Sequence, residues 1–270
     1  MRRILLVVAL IIGMLSPIQA QCPEINRAFK PGETLNYDMY FNWKFVWVKA
    51  GTTTLHTSQI NYQGKHAYKT YLYSTGNKRA DFFFKLRNTL ISYYTPQMVP
   101  LYFKKASTEG KRYTEDEVWY SYQNGKTHLR QRFRNHEGKV SIVNRTSNRC
   151  AYDMMSMLFR ARSFDGDSFR VGQRIVFPMA TGKKLDNQTI IYRGKKVIKA
   201  NDKRKYRCLV FSFVEPGKKH GKWEEVITFF ITDDPNHIPV RLDMYLNFGS
   251  AKAFLNSVSG NRYPISAIVK

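Results

Sequence analysis

Residues 34–45 read TLNYDMYFNWKF, and the alternation in this stretch constrains the fold more than any other feature of the chain. Leu35, Tyr37, Met39 and Phe41 share one parity, while Asn36, Asp38 and Asn42 share the other. An extended strand sends successive side chains to opposite faces, so this pattern specifies a half-buried strand. The same period recurs along the chain. TTTLHTSQI (52–60) is rich in β-branched residues, and AYKTYLYST (67–75) follows a Gly64 turn. In HLRQRFRNHEGKVSIV (128–143) two strands flank Glu137-Gly138. Asn124-Gly125, in YSYQNGKTHL, is the strongest of the short hairpin signals, because both positions tolerate positive φ. Further strands are expected near 173–179, 187–194, 206–214, 224–232 and 238–248.

One segment breaks the period. In CAYDMMSMLFRARSF (150–164), Ala151, Met154, Met155 and Leu158 follow i, i+3, i+4, i+7 spacing. This predicts an amphipathic helix over about 151–162, with Arg160 and Arg162 at the end where cations favour the dipole. The fold class is therefore all-β: a strongly curved antiparallel sheet, or a barrel-like roll of two meanders, with one short central helix. No Pro- or Ser-rich linker divides the chain. Residues 21–270 are read as a single β domain, or as two β-rich lobes (about 29–147 and 164–262) joined by the helix.

The first twenty residues set the compartment. Arg2 and Arg3, an apolar run from Ile4 to Leu15 and a small-residue end at Ala20 have the order of a secretory signal peptide. Cleavage is expected after Ala20, leaving a mature chain that begins at Gln21 and is periplasmic or envelope-associated. The apolar run is shorter than the roughly 20 residues of a transmembrane helix, and no later stretch is long and apolar enough. Lipidation of Cys22 would need a small residue before it, where Gln21 stands. An oxidising compartment permits one disulfide among Cys22, Cys150 and Cys208; Cys150–Cys208 is the preferred pair, because both lie in structured segments, with two free thiols as the alternative.

The net charge is +24, two units of it from the leader. An exported protein does not meet the genome, so the partner that this charge suggests is an anionic envelope lipid or glycan, not nucleic acid. Arg130, Arg132 and Arg134 alternate with Leu129, Gln131 and Phe133 and so project from one strand face. Arg193, Lys195 and Lys196 open a second basic run that extends to Arg207. These six residues are the candidate polyanion site, since guanidinium groups match phosphate and carboxylate forks. The bland reading is a solvated strand face.

Five phrases carry a resemblance when taken in order: FKPGETLNYDMYFNW with KAG after it, YDMMSMLFRAR, YRGKKVIK, YRCLVFSF and ITDDPNHIPVRLDMYLNFGSAKAFL. Together they resemble the bacterial exported family known as the domain of unknown function DUF3108, from residue 29 to about 260. The leader end resembles the Bacteroidota branch. The resemblance implies an envelope protein with a largely antiparallel β fold. It brings no catalytic residues.

ITDDPNHIPV (231–240) crowds Asp233, Asp234, Asn236 and His237 together. Asp and Asn bond their own backbone in turns and Pro presets φ, so a strand connection is expected there and not a metal site. The six histidines form no helical pair, FKPGE lacks the Gly-Lys-Ser/Thr ending of a phosphate loop, and FGSAKAFL (248–255) lacks the glycine spacing of a nucleophile elbow. No catalytic, cofactor or metal residue is assigned. The abundant aromatics (18 Phe, 17 Tyr) read mainly as core. Three functions stay open: a non-catalytic binding or scaffolding protein of the periplasm, a carrier holding a lipid or other amphiphile in a curved sheet, and a hydrolase of envelope polymers.

Overall fold

The computed structural model describes residues 22–43, 46–83, 85–217, 221–246 and 249–269. The leader, the cleavage point and His220 lie outside the described residues. An N-terminal strap, 22–33, leads into the first strand.

The strands are β1 (Thr34–Trp43), β2 (Val46–Tyr62), β3 (Lys65–Gly76), β4 (Leu86–Tyr94), β5 (Pro100–Glu109), β6 (Arg112–Gln123), β7 (Lys126–Arg134) and β8 (Val140–Ser147). Then come β9 (Arg174–Ala180), β10 (Leu185–Lys199), β11 (Lys205–Pro216), β12 (Trp223–Thr232), β13 (Pro239–Leu246), β14 (Gly249–Ser259) and β15 (Ile268–Val269). Helix α1 (Lys78–Phe83) joins β3 to β4, and α2 (Met154–Ala161) separates β8 from β9.

One antiparallel sheet runs β8-β7-β6-β5-β4-β3-β2-β1-β14-β13-β12-β11-β10-β9, with β15 added to β11. The fold is all-β, as the alternation requires. Hairpins follow from the turn chemistry: Asn124 (φ 51°) and Gly125 (φ 69°) both take the left-handed backbone that a two-residue turn demands. β1 pairs with both β2 and β14, so the two runs of strands belong to one sheet.

The sheet rolls but does not close: its edges, β8 and β9, exchange no ladder bonds. Side chains span the seam. Gln131, fully buried, donates to Thr181 O (2.5 Å) and Lys184 O (2.7 Å) at the β9–β10 turn, and Arg149 donates to Val176 O (2.7 Å). Gly182 passes so close to β7 that a Cβ there would lie 2.4 Å from Arg132 O. After β8 the chain lies along β9, with Tyr152 N donating to Pro178 O (3.0 Å) and Ala180 N to Tyr152 O (2.8 Å).

That extended contact shortens the expected helix: α2 starts at Met154, not 151, because Tyr152 bridges to β9. Asp153 caps it, accepting from Met155 N and Ser156 N (2.8 Å each), while Ser156 Oγ accepts from Asp153 N (3.1 Å). The buried residues are Met155, Ser156, Met157 and Phe159, whereas Met154 is exposed. Of the stripe expected at Ala151, Met154, Met155 and Leu158, Ala151 and Met155 are buried and Leu158 packs against the inner core, while Met154 faces solvent. α2 is wrapped on two sides: Met155 and Phe159 enter the core inside the roll, and Met157 a second core outside β9–β12. The strap inserts Phe29 into the inner core, edge-on to Phe159 (4.7 Å), Tyr68 (5.9 Å) and Tyr94 (6.5 Å).

The expected Cys150–Cys208 bond does not form. Cys150 is bonded to Cys22, with Cα atoms 5.1 Å apart. Cys208 sits on β11 facing the inner core, whereas Cys150 belongs to the outer one, so the sheet stands between them. Burial pushes the free Cys208 thiol up to about 12.

Candidate functional site

The outer face of β4–β7 carries a row built by register. Tyr93 pairs with Tyr102, Tyr102 with Trp119, and Trp119 with Arg130. Their rings touch in sequence: Tyr93–Tyr102 at 5.3 Å and Tyr102–Trp119 at 5.6 Å, with the Arg130 guanidinium 4.8 Å from the Trp119 ring centroid. Tyr62 packs onto Tyr93 at 5.0 Å. The next rung is ionic. Arg132 donates to Glu117 (2.8 Å) and Glu115 (3.3 Å), and Lys104 pairs with both. Hydrogen bonding from Lys104 and then Arg132 holds the Glu115 carboxyl below its usual range.

The six predicted polyanion residues are therefore not equivalent. Arg132 spends its charge on two glutamates, while Arg130 and Arg134 lie over Trp119 and Tyr113 (5.5 Å). In the second run, Arg193 pairs with Glu225 (2.7 Å), and Lys195 with Asp167 (2.8 Å) and Asp233 (3.2 Å). Lys196 is exposed. β7 and β10 share no ladder, and the two runs have separate partners: Glu115, Glu117, Trp119 and Tyr113 for the first, Glu225, Asp167 and Asp233 for the second. The aromatic row escaped sequence reasoning because it is a cross-strand feature. Tyr93, Tyr102 and Trp119 each have strand parity, but only register aligns them.

At the strap end the chain is tied by a buried ion pair. Arg162, expected at the helix end where cations favour the dipole, is fully buried. It donates to both Glu33 carboxylate oxygens (2.5 and 2.9 Å), to Asn236 O (3.0 Å) and to His237 O (3.1 Å). The stretch 231–240 is the turn between β12 and β13, and it is also a packing hub. Asp234 accepts from Thr232 Oγ1 (2.8 Å), Asn236 N (3.1 Å), Ser266 N (3.0 Å) and Ala267 N (3.2 Å). Asn236, fully buried, donates to Tyr263 O and Pro264 O and accepts from Tyr263 N. His237 Nδ1 lies 2.5 Å from Arg162 O. Among the described residues no three His, Cys, Asp or Glu side chains are grouped to hold a metal ion.

Beside the strap lies an open depression of about 480 Å³, lined among others by Glu24, Asn26, Lys30, Tyr68 and Arg262, with Phe29 at its base. Arg160 pairs with Glu24 (3.5 Å) and covers the Tyr152 ring (5.0 Å), so the cations left facing the depression are Lys30 and Arg262.

An open antiparallel roll whose interior is occupied by its own helix and strap defines a β-barrel-like protein. The particular family follows from the sequence: residues 36–256 match the protein family of unknown function DUF3108, and the chain belongs to it. Its fold is similar to the crystal structure of a β-barrel-like protein, of the domain of unknown function DUF1849, from Brucella abortus. The identity is 7%, the TM-score 0.53, and the match covers 86% of this chain and 99% of that one. No curated protein matches the sequence.

Proposed function

We propose that this DUF3108 member, of the Bacteroidota-like branch, is exported, cleaved after Ala20, and acts in the periplasm as a non-catalytic binding or scaffolding protein for an anionic envelope lipid or glycan. The observation that carries the reading is where the apolar and ionic groups lie. Phe29, Phe159, Tyr94 and the Arg162–Glu33 pair, each at most 1% exposed, occupy the interior that a hollow carrier would keep free. Binding then falls to the outer surface, where Arg130 and the aromatic row stand. The Cys22–Cys150 bond supports export, since such bonds persist in oxidising compartments, and it occupies the Cys22 sulfur that lipidation would need. A carrier reading keeps one support, the depression beside the strap: its volume falls in the ~300–1,000 Å³ range of small-ligand sites.

The test is fractionation of the native cell, with N-terminal sequencing and non-reducing peptide mapping of the recovered protein. A chain beginning at Gln21, with Cys22 bonded to Cys150, is expected outside the cytoplasm. A cytoplasmic protein retaining Met1 overturns the reading. Native mass spectrometry of the same sample decides between surface binding and carriage: a stoichiometric small amphiphile would favour the carrier.

A further inference from the structure

The two ends of the roll differ. One end holds the strap and the 233–237 turn. At the other lie α1 and the strand ends that flank the β1–β2, β5–β6, β7–β8, β9–β10, β11–β12 and β13–β14 connections. On this second rim the hairpins β1–β2 and β13–β14 lie side by side, because Phe41 pairs with both Val48 and Ala251.

Their ends run past the packed core. Val46 and Val48 oppose Trp43 and Phe41, and Leu246 continues the inward parity of Val240 and Leu242. Inward-facing aliphatic residues in this fold are ordinarily covered. These are 62%, 52% and 41% exposed. Trp47 and Tyr245 on the opposite parity are also exposed, as are Phe82, Tyr113 and Trp223 on the same rim. Scattered apolar residues need no explanation, but the group on the adjacent β1–β2 and β13–β14 hairpins marks an interaction surface.

The order of residue types along the hairpins gives the partner's chemistry. Among the described residues Val46 and Leu246 come first, Trp47 and Tyr245 next, then Lys49, which also meets Asp38 (2.7 Å), and Lys252. Lys252 Nζ lies 4.3 Å from the Trp47 ring centroid. At a rise of about 3.3 Å per residue, Val46 to Lys49 spans roughly 10 Å. Aliphatic, then amphipathic aromatic, then cation is the depth order of a lipid interface, where an immersed face reaches roughly 5–10 Å. The rim's turns add exposed Lys85, Lys111, Arg112, Lys139 and Lys222, against Glu109, Glu137, Glu215 and Glu224. The chain as a whole carries +24, and anionic lipid attracts such charge at about 1 kcal/mol per cation near the surface.

We propose that this rim is the face by which the protein rests on an anionic lipid bilayer, with the β1–β2 and β13–β14 hairpin ends immersed at headgroup level. The proposal rests on the envelope reading above, narrows its partner to lipid, and adds the rim to the β4–β7 face as a surface that meets it. The probe is phosphatidylcholine vesicles with and without phosphatidylglycerol, assayed by co-sedimentation. The full mature protein should bind the anionic vesicles and not the neutral ones, and less at high salt. Val46→Asp with Leu246→Asp, both exposed and so expected to leave the melting temperature unchanged, should weaken binding at least ~tenfold. Lys65→Gln, an exposed cation on the β2–β3 hairpin at the opposite end of the roll, should not.

Brominated acyl chains should quench the wild-type fluorescence, and Trp47→Phe should reduce that quenching, which keeps the test valid if the double variant misfolds. Equal binding by wild type and double variant overturns the proposal. So does failure of the wild type to bind vesicles while it binds a soluble acidic polysaccharide, or self-association through the rim without vesicle binding. Failure here with correct export leaves the envelope reading standing. Cytoplasmic retention overturns that reading whatever the vesicles show.

Discussion

Replacing Arg162 by Met tests the joint on which strap, helix and β12–β13 turn converge. The guanidinium makes four hydrogen bonds: two to Glu33 and one each to Asn236 O and His237 O. Neither partner of the ion pair reaches water, with side chains 0% and 1% exposed. Methionine fills much of the volume but leaves the Glu33 carboxylate buried and uncompensated, and two carbonyls without this donor. Breaking a buried pair from one side costs about 3–5 kcal/mol. Folded domains hold only about 5–15 kcal/mol in total, so the variant should be marginal. Glu33→Gln in the Arg162→Met background removes the stranded charge and should recover about 1–3 kcal/mol of the loss. Urea unfolding at neutral pH measures all four members of the cycle, the loss appearing as a lower midpoint at similar slope. If Arg162→Met costs under about 1 kcal/mol, or if the two substitutions add without coupling, Arg162 does not hold Glu33 as described.

The Asp153 carboxyl caps α2 while fully buried, and desolvation raises it to about 6 from 3.8. Between those values the folded state holds the proton more tightly than the unfolded state. Stability should therefore fall as pH rises from about 4 to about 6, by about 3 kcal/mol at the limit. Asp153→Asn keeps a capping acceptor and should flatten that profile; an unchanged slope in the pH series of unfolding free energies would refute it. Cys150→Ser should cost about 2–5 kcal/mol, and Cys208 should resist alkylation until denaturant is added; rapid native labelling of Cys208 would contradict its burial. Asn236→Ala strands three backbone groups of Tyr263 and Pro264 and should cost ~3 kcal/mol, against under ~1 for the partly exposed Asp233→Ala; equal melting temperatures of the two variants would sink the distinction.

The local features were legible because local physics decides them. Period-two alternation specified Leu35, Tyr37 and Met39 as one face of β1, and positive-φ turn chemistry placed the bend at Asn124-Gly125. Asp and Asn in 233–236 read as turn formers, and a turn is what they form. The site-level features were not legible, because each depends on what the chain brings from far away. Cys150 finds Cys22 across 128 residues only because the strap crosses the end of the roll. Arg162 looks like a solvated cation until Glu33 and the 236–237 carbonyls close around it. Arg130, Arg132 and Arg134 share a parity and differ in role, because register sets Trp119 and Tyr113 beneath two of them and glutamates beside the third. Val46 and Val48 have the alternation of core residues and yet face solvent. Alternation states which way a side chain points, and only the assembled roll decides how far its core extends.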